Sequence, residues 1–228
     1  MAIFNLKHSI DSYYTHQPVT AKIDKTYIVH YEKLGERKAY LDSIIENISD
    51  NYEYIISNEE TDKLLLEKID RYYKYDPNIL EREIKIGELN VSVTHLKIYE
   101  DILKNNYKMC LILEDDAVIL DSYRKVMDEI LNSDIEEYDF IFLSTCCGMV
   151  ADRIKDSHIQ DSLLSKCLTG YLINSKKVKD VIDLSIPIST NLDNHLNDIR
   201  EKLNLKFGHC EPPIIIQGSE TIYKSNLR

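Results

Sequence analysis

The sequence lacks long apolar runs, an excess of basic residues and paired cysteine motifs. No apolar stretch approaches the ~20 residues of a membrane-spanning helix, and residues 1–8 do not contain the apolar segment of a signal peptide. The 28 Lys and Arg residues against 39 Asp and Glu residues give a formal net charge of −11. Such a chain offers no basic surface for phosphate-rich partners. We therefore expect neither nucleic acid nor a membrane span.

The five cysteines include no Cys-x-x-Cys pair. This argues against a zinc knuckle or a disulfide framework, and it favours reduced thiols in a cytoplasmic protein. Cys146 and Cys147 are adjacent and follow a predicted strand, so we expect them to border any pocket there. The richness in Ile, Lys, Asn and Tyr indicates an AT-rich bacterial or viral genome, and hence a bacterial or viral-host cytoplasm.

The length and the apolar content favour one α/β domain. The chain has 228 residues, of which 43% are hydrophobic, which is enough for one large core. We predict an N-terminal extension at residues 1–24, a single domain at 25–220 and a polar tail at 221–228.

Within this domain the chain begins with the order strand, helix, strand. Apolar strand patterns at 26–30 and 52–56 flank a helical pattern at 37–49. This βαβ order is typical of a parallel sheet. Later patterns predict further helices and strands, namely helices at 86–105, 121–132, 176–184 and 192–203, and strands at 138–143, 167–173 and 212–217.

The most informative stretch is residues 109–116. Five apolar residues lead directly into Glu114, Asp115 and Asp116. A short unbroken apolar run predicts a strand buried on both faces, and ligands gather at the carboxyl ends of such strands. Three adjacent carboxylates repel one another, so they are best tolerated in full solvent or beside a cation. The stretch is therefore either an acidic turn in water or a cation site.

Other motifs surround this stretch over residues 25–220. They are a first strand leading to Arg37, a helix with Thr94 and His95, the apolar strand ending in Glu-Asp-Asp, a strand ending at Ser144, a Tyr-bearing segment at 169–173, a late helix beginning near Asp193, and a Pro-containing strand ending at Gln217. In this order they resemble glycosyltransferase family 25, which contains lipopolysaccharide-type and procollagen-type galactosyltransferases.

The resemblance implies a GT-A-like, Rossmann-like fold with a mostly parallel sheet flanked by helices. It also implies transfer of a hexose, galactose or glucose, from a nucleotide diphosphate sugar, usually a UDP-hexose, to a hydroxyl of a glycan or glycoprotein. Departure of the nucleoside diphosphate builds negative charge, which a divalent cation on both phosphates stabilises. Mn²⁺ or Mg²⁺ prefers oxygen ligands, so the acidic strand end would suit it.

The resemblance also suggests roles for individual residues. Asp116 is the expected metal ligand, and Glu114, two residues away in extended geometry, would face the same side and contact the metal or the ribose. Asp115 would point the opposite way and serve the structure. Arg37 would contact the nucleotide, unless it is simply a surface arginine. Gln217 would contact the donor or the metal.

The attacking hydroxyl of the acceptor needs a general base to take its proton, and Asp193 is the main candidate. Its alternative role is a favourable interaction with the dipole of the helix that it begins. His195 is a second candidate base, because the ordinary histidine pKa suits the task. His209 could complete a metal shell. His95 is better explained as a hydrogen-bonded core residue.

Two other functions remain open at this stage. A metal-dependent phosphohydrolase could use the same acidic strand end, although it would need further carboxylates, for which Asp139 and Asp193 are the candidates. A non-catalytic binding protein could retain the GT-A fold without activity.

Overall fold

A computed structural model describes residues 22–77, 82–145, 156–165 and 167–223. The strands are β1 (Lys25–Tyr31), β2 (Tyr52–Ser57), β3 (Met109–Glu114), β4 (Ala117–Ile119), β5 (Phe140–Phe142), β6 (Ser144–Thr145), β7 (Ile159–Ser162), β8 (Gly170–Asn174), β9 (Phe207–Cys210) and β10 (Ile215–Gln217). The α-helices are α1 (Gly35–Asp42), α2 (Glu59–Leu66), α3 (Ile69–Tyr72), α4 (Ile86–Asn105), α5 (Tyr123–Leu131), α6 (Val178–Ser185) and α7 (Leu192–Leu203). Short 3₁₀ turns cover Ile45–Asn47, Ile135–Glu137, Ser175–Lys177 and Gly218–Glu220.

Seven strands form the main sheet, in the order β2-β1-β3-β8-β5-β9-β7. β1 pairs in parallel with β2 and β3, and β5 pairs in parallel with β9. β8 lies antiparallel between β3 and β5, and β7 lies antiparallel to β9. Five of the seven strands therefore point the same way. This confirms the predicted single α/β domain with a mostly parallel sheet.

A second, smaller sheet lies beside the end of β3. It has the order β4-β10-β6, with β10 antiparallel to β4 and parallel to β6. Its register places Gln217 opposite Ala117, the residue that follows the three carboxylates. The small sheet therefore brings the C-terminal part of the chain to the acidic end of β3.

Helices cover both faces of the main sheet. Cys110 and Ile112 of β3 pack into a core with α4, α6 and α7. Leu111 and Leu113 point to the other face and pack with α1 and α5. All of these β3 side chains are fully buried, and each buried Leu or Ile contributes about 1.5–3 kcal/mol. The core on both faces confirms the predicted buried strand and fixes the position at which Glu114 emerges.

In the part of the chain that the structure describes, no helix combines the length and apolarity needed to cross a membrane. Cys110 and Cys210 are free thiols within the core. Cys167 is disulfide-bonded, so the expectation of reduced thiols throughout is wrong for this residue. Sequence spacing does not reveal which sulfur atoms a fold brings within bonding distance.

Some predicted features lie outside the described residues. Most of the predicted extension at 1–24 and most of the tail at 221–228 fall there, as do Cys146 and Cys147, which were expected to border the pocket.

Candidate active site

A cleft of about 230 Å³ opens at the carboxyl ends of β1, β2 and β3. This edge is where α/β sheets bind ligands, because the strand ends and the loops after them leave a crevice there. The first turns of α4 and α7 and the residues after β10 complete its walls. All five residues predicted for the site contribute to its lining, namely Arg37, Glu114, Asp116, Asp193 and Gln217.

Asp115, the middle carboxylate, is buried and fully engaged by the protein. Its Oδ1 accepts a hydrogen bond from Nη1 of Arg37 at 2.8 Å. Its Oδ2 lies 2.9 Å from Nδ1 of His30 and accepts from the backbone N–H of Tyr31 at 3.1 Å. These bonds tie the end of β3 to the end of β1, which is the geometry of a structural carboxylate. Arg37 is only 8% exposed, so the alternative of a surface arginine is wrong.

Asp116 is also buried, but part of its carboxylate has no protein partner. Its carbonyl accepts from the backbone N–H of Gly218 at 2.7 Å, and its Oδ2 accepts from that of Ser219 at 3.3 Å. Its Oδ1 has no hydrogen-bond partner among the described residues. Burial raises the pKa of Asp116 above its ordinary value. An unpaired buried oxygen of this kind is unfavourable by about 1–3 kcal/mol, which a bound ligand would relieve.

Gly218 approaches Asp116 too closely for any side chain. A Cβ atom at this position would lie 2.6 Å from the Asp116 carbonyl oxygen and 2.7 Å from the Tyr223 ring. We expect Gly218→Ala to displace residues 218–223, to lower the free energy of unfolding by about 1–3 kcal/mol, and to reduce ligand binding in the cleft. Urea unfolding and calorimetry would measure both effects.

Gly35→Ala provides the matched control. Nothing lies within 4 Å of a Cβ atom at Gly35, and Ala favours a helix by about 1 kcal/mol over Gly. We expect this variant to be as stable as the wild type or more stable. Equal behaviour of the two variants would contradict the close packing of Gly218 on Asp116.

Glu114 and Asp193 bring two further carboxyl groups to the cleft. Burial, together with Asp116 and Asp115, raises the pKa of Glu114 to about 8, against the opposing effect of Arg37. Burial and the nearby Glu114 raise the pKa of Asp193 to about 6. Oδ1 of Asp193 has no hydrogen-bond partner in the described part of the chain. Near pH 7, Glu114 is therefore mostly protonated, whereas Asp193 is mostly ionised.

Two histidines that the sequence suggested for the site lie elsewhere. Nε2 of His195 is 2.9 Å from the carbonyl of Ser185, and Nε2 of His209 is 2.9 Å from that of Ser144. Neither residue lines the cleft, so the suggestions of a second base and a further metal ligand are wrong in this geometry. Both side chains form hydrogen bonds with backbone carbonyl groups of other segments instead.

Comparison with known proteins identifies the family. The family model described as glycosyltransferase family 25 (LPS biosynthesis protein) matches residues 23–196. The chain belongs to glycosyltransferase family 25. The match confirms the resemblance, and it includes Arg37, Glu114, Asp116 and Asp193 but ends before Gln217.

Two further comparisons complete this result. A search of curated proteins gives no match. Among solved structures, the family 25 chain is similar to the glycosyltransferase GlyE of Streptococcus pneumoniae TIGR4, with 9% identity and a TM-score of 0.46. The similarity covers 90% of this chain and 55% of that chain. The chain thus spans about half the length of that structure.

The sequence did not point to several residues that line the cleft of this glycosyltransferase. The side-chain amide of Asn90 donates to Oδ1 of Asp62, and the Tyr31 hydroxyl donates to Oδ2 of Asp62 at 3.2 Å. His30 and Ser219 also lie in the cleft wall. One signal was available, because Asn90 is one of several polar residues, with Ser92, Thr94 and His95, that α4 buries.

The carboxylates fit one kind of metal site. Among the described residues, no three His, Cys, Asp or Glu side chains are grouped as a ready-made metal site. A cation bound to a diphosphate needs fewer ligands from the protein, since phosphate oxygens and water supply most of them. One or two carboxylates of the protein suffice. Asp116, with its unpaired Oδ1, and Glu114, at the cleft wall, match that requirement.

Proposed function

We propose that this family 25 glycosyltransferase binds a UDP-hexose together with Mn²⁺ or Mg²⁺ in the cleft. The hexose, galactose or glucose, then passes to a hydroxyl of a glycan or glycoprotein, in a cytoplasmic setting. One observation carries the proposal: Asp116 and Asp193 line the same cleft, and each presents a buried carboxylate oxygen with no partner among the described residues.

The charge of the cleft supports a cation-dependent donor. Among the described residues, six carboxyl groups line it, namely Asp62, Glu88, Glu114, Asp115, Asp116 and Asp193. Arg37 is the single Lys or Arg among the described lining residues, and it is paired with Asp115. Such a surface repels a diphosphate unless a cation accompanies it.

Each residue then has a role in holding the donor. Asp116 and Glu114 would hold the cation, which when bound supplies the positive charge that stabilises the departing diphosphate. Arg37 adds positive charge at the same end of the cleft, and it keeps Asp115 in place. Gln217 would contact the donor through its side-chain amide, since β10 places it in the wall beside Asp116.

Asp193 would accept the proton of the attacking hydroxyl. A general base works best when its pKa is near the operating pH, and the raised pKa of Asp193, about 6, meets this condition. The carboxyl lies in the first turn of α7, and it lines the same cleft as the end of β3. Transfer is therefore expected to increase with pH as Asp193 ionises.

Asp193→Asn separates this role from a structural one. We expect transfer to fall by about 100-fold or more, because a general base contributes about 10²–10⁴-fold. The free energy of unfolding of the variant, in contrast, should be higher than that of the wild type. The folded-state pKa of Asp193 is raised from 3.8 to about 6, so ionisation weakens the fold progressively as the pH rises through this interval, and fully above it.

The variant removes this penalty. At pH 7 its free energy of unfolding should exceed that of the wild type by up to about 3 kcal/mol, whereas below the unfolded pKa the two should agree. Urea unfolding at both pH values measures the difference. Asp198→Asn, on the exposed side of α7, is the control and should change neither property. A stabilised Asp193→Asn variant with full activity would reject Asp193 as the base.

A thermal-shift screen of nucleotide sugars, with and without Mn²⁺, tests the function as a whole. A ligand at 100 times its Kd adds about 2.7 kcal/mol of stability, and each kcal/mol raises the Tm by about 2–4 °C for a protein of this size. We expect a UDP-hexose to raise the Tm only with Mn²⁺ present. Release of free sugar phosphate would instead indicate a phosphohydrolase, and no shift with any donor would indicate a non-catalytic protein.

A further inference from the structure

Behind Glu114, three side chains form a buried hydrogen-bonded line. Nδ1 of His95 lies 2.7 Å from the hydroxyl of Tyr171, which lies 2.8 Å from the hydroxyl of Tyr99. The His95 and Tyr171 rings are nearly parallel, at 17° with their centroids 5.8 Å apart. All three side chains are buried. The imidazole is therefore fixed in both position and plane.

The other ring nitrogen of His95 lies beside Glu114. Its Nε2 has no hydrogen-bond partner within the described residues, and it lies 3.5 Å from Oε1 of Glu114. Buried polar atoms nearly always have a partner. A small movement of the Glu114 carboxylate would bring the two atoms to a shorter hydrogen-bond distance, so Glu114 can act as the partner of Nε2. Asp193 is the other carboxyl group whose charge acts on His95.

The direction of the hydrogen bonds follows from this arrangement. An ionised carboxylate only accepts hydrogen bonds, so Nε2 must carry the ring proton in order to pair with Glu114. With that proton on Nε2, towards the carboxylate, Nδ1 must accept from Tyr171. The hydroxyl of Tyr171 then accepts from that of Tyr99. With Glu114 ionised, as it would be beside a bound cation, this direction gives every group in the line a donor or an acceptor.

We propose that His95 is a positioning residue for Glu114, donating Nε2–H to the carboxylate and holding it towards the cleft where the donor and its cation bind. Tyr171 and Tyr99 keep His95 in the tautomer that this role requires. The inference rests on the proposed function, because it assigns His95 to the carboxylate that would contact the cation. Such supporting bonds around a metal ligand commonly change affinity or activity by about 10–100-fold.

The tautomer can be observed directly in protein saturated with UDP and Mg²⁺, where the cation would keep Glu114 ionised. In protein labelled with ¹⁵N-histidine, NMR should show the proton of the His95 ring on Nε2. Tyr171→Phe keeps the stacked ring but removes the donor to Nδ1, and we expect it to mix the two tautomers. A proton on Nδ1 in the wild type would overturn the proposal, whatever the activity of the enzyme.

Two substitutions of His95 separate positioning from packing. The side-chain amide of Gln reaches approximately the place of Nε2, whereas that of Asn reaches only the place of Nδ1. Calorimetric titration with UDP and Mn²⁺ should therefore show binding weakened by about 10–100-fold in His95→Asn, and largely kept in His95→Gln. Equal losses in both variants would indicate packing alone and would overturn the proposal.

A double-mutant cycle provides the final test. In a Glu114→Gln background, His95→Asn should weaken the binding of UDP with Mn²⁺ by less than about 2-fold, because the carboxylate that it positions is gone. The same loss in both backgrounds would show that His95 acts independently of Glu114. If His95→Asn does not fold, Tyr171→Phe takes its place in the cycle. Absence of wild-type binding to UDP and Mn²⁺ would reject the proposed function, whereas binding with additive losses would reject only the role of His95.

Discussion

Replacing Asp116 by Asn is expected to reduce hexose transfer by at least about 100-fold while the fold remains intact. Oδ1 of Asp116 has no hydrogen-bond partner among the described residues, and it is the oxygen that we propose to bind the cation on the donor diphosphate. Loss of one group that stabilises developing charge commonly reduces the rate by about 10²–10³-fold. Stability should be unchanged or slightly higher, because burial already disfavours the ionised form and raises the pKa of this carboxyl.

The measurement combines initial rates with a UDP-hexose and Mn²⁺ and urea unfolding of the same preparations. Asp128→Asn is the matched control, since it removes the same charge from the exposed side of α5 and should alter neither quantity. Unchanged turnover in Asp116→Asn would remove Asp116 from the proposed mechanism. A collapse of stability would instead show that its bonds to residues 218 and 219 are its main role.

Replacing Asp115 by Ala should have the opposite signature, with a large loss of stability. Asp115 and Arg37 form a 2.8 Å ion pair in which each side chain is only 9% exposed. Removing one partner leaves a buried charge without compensation, which commonly destabilises a protein by about 3–5 kcal/mol. For a protein of this size, this lowers the Tm by roughly 6–20 °C.

An exposed ion pair in the same protein provides the comparison. Lys179 and Asp183 lie one turn apart on α6, with side-chain exposures of 72% and 57%. Asp183→Ala should reduce the free energy of unfolding by less than about 1 kcal/mol. Chemical unfolding of both variants under identical conditions measures the contrast. Similar losses would mean that the pair at the end of β3 does not anchor the cleft.

The elements predicted most accurately are those whose apolar pattern is continuous. The helix predicted at 86–105 is α4 with the same bounds, because Leu89, Val93 and Leu96 repeat at the helical spacing on its buried face. The strand predicted from 109 is β3, since both of its faces are apolar. In each case the spacing of apolar residues within the element indicates which of its sides pack against the rest of the protein.

The direction of each strand in the sheet and the shortest strands were harder to predict. β8 is buried throughout, and a strand with two apolar faces carries no sign of whether its neighbours run parallel or antiparallel to it. β4 and β7 were missed because β4 has three residues and β7 has the polar sequence Ile-Gln-Asp-Ser. The helix predicted over 37–49 ends at Asp42, and a 3₁₀ turn continues the apolar spacing at Ile45.

The carboxylates of the site were visible in the sequence, but their partners were not. Val29 lies opposite Glu114 in the parallel register of β1 and β3, so the next residues of each strand, His30 and Asp115, lie side by side. These two residues are 85 positions apart in the chain. Register is a property of the assembled sheet, which explains why the sequence suggested a structural role for Asp115 without identifying His30 or Arg37 as its partners.

The bonds between residues 218–219 and Asp116 also determine when the cleft is completed during synthesis. Asp116 and Ser219 are 103 positions apart, so a growing chain that has already reached the end of α7 holds every carboxylate of the cleft but neither of the backbone donors at Gly218 and Ser219. Gln217 is missing at that stage as well. The wall of the proposed donor site can therefore be completed only after residues 217–219 have been added, and we expect a chain that ends at α7 to bind a nucleotide sugar more weakly.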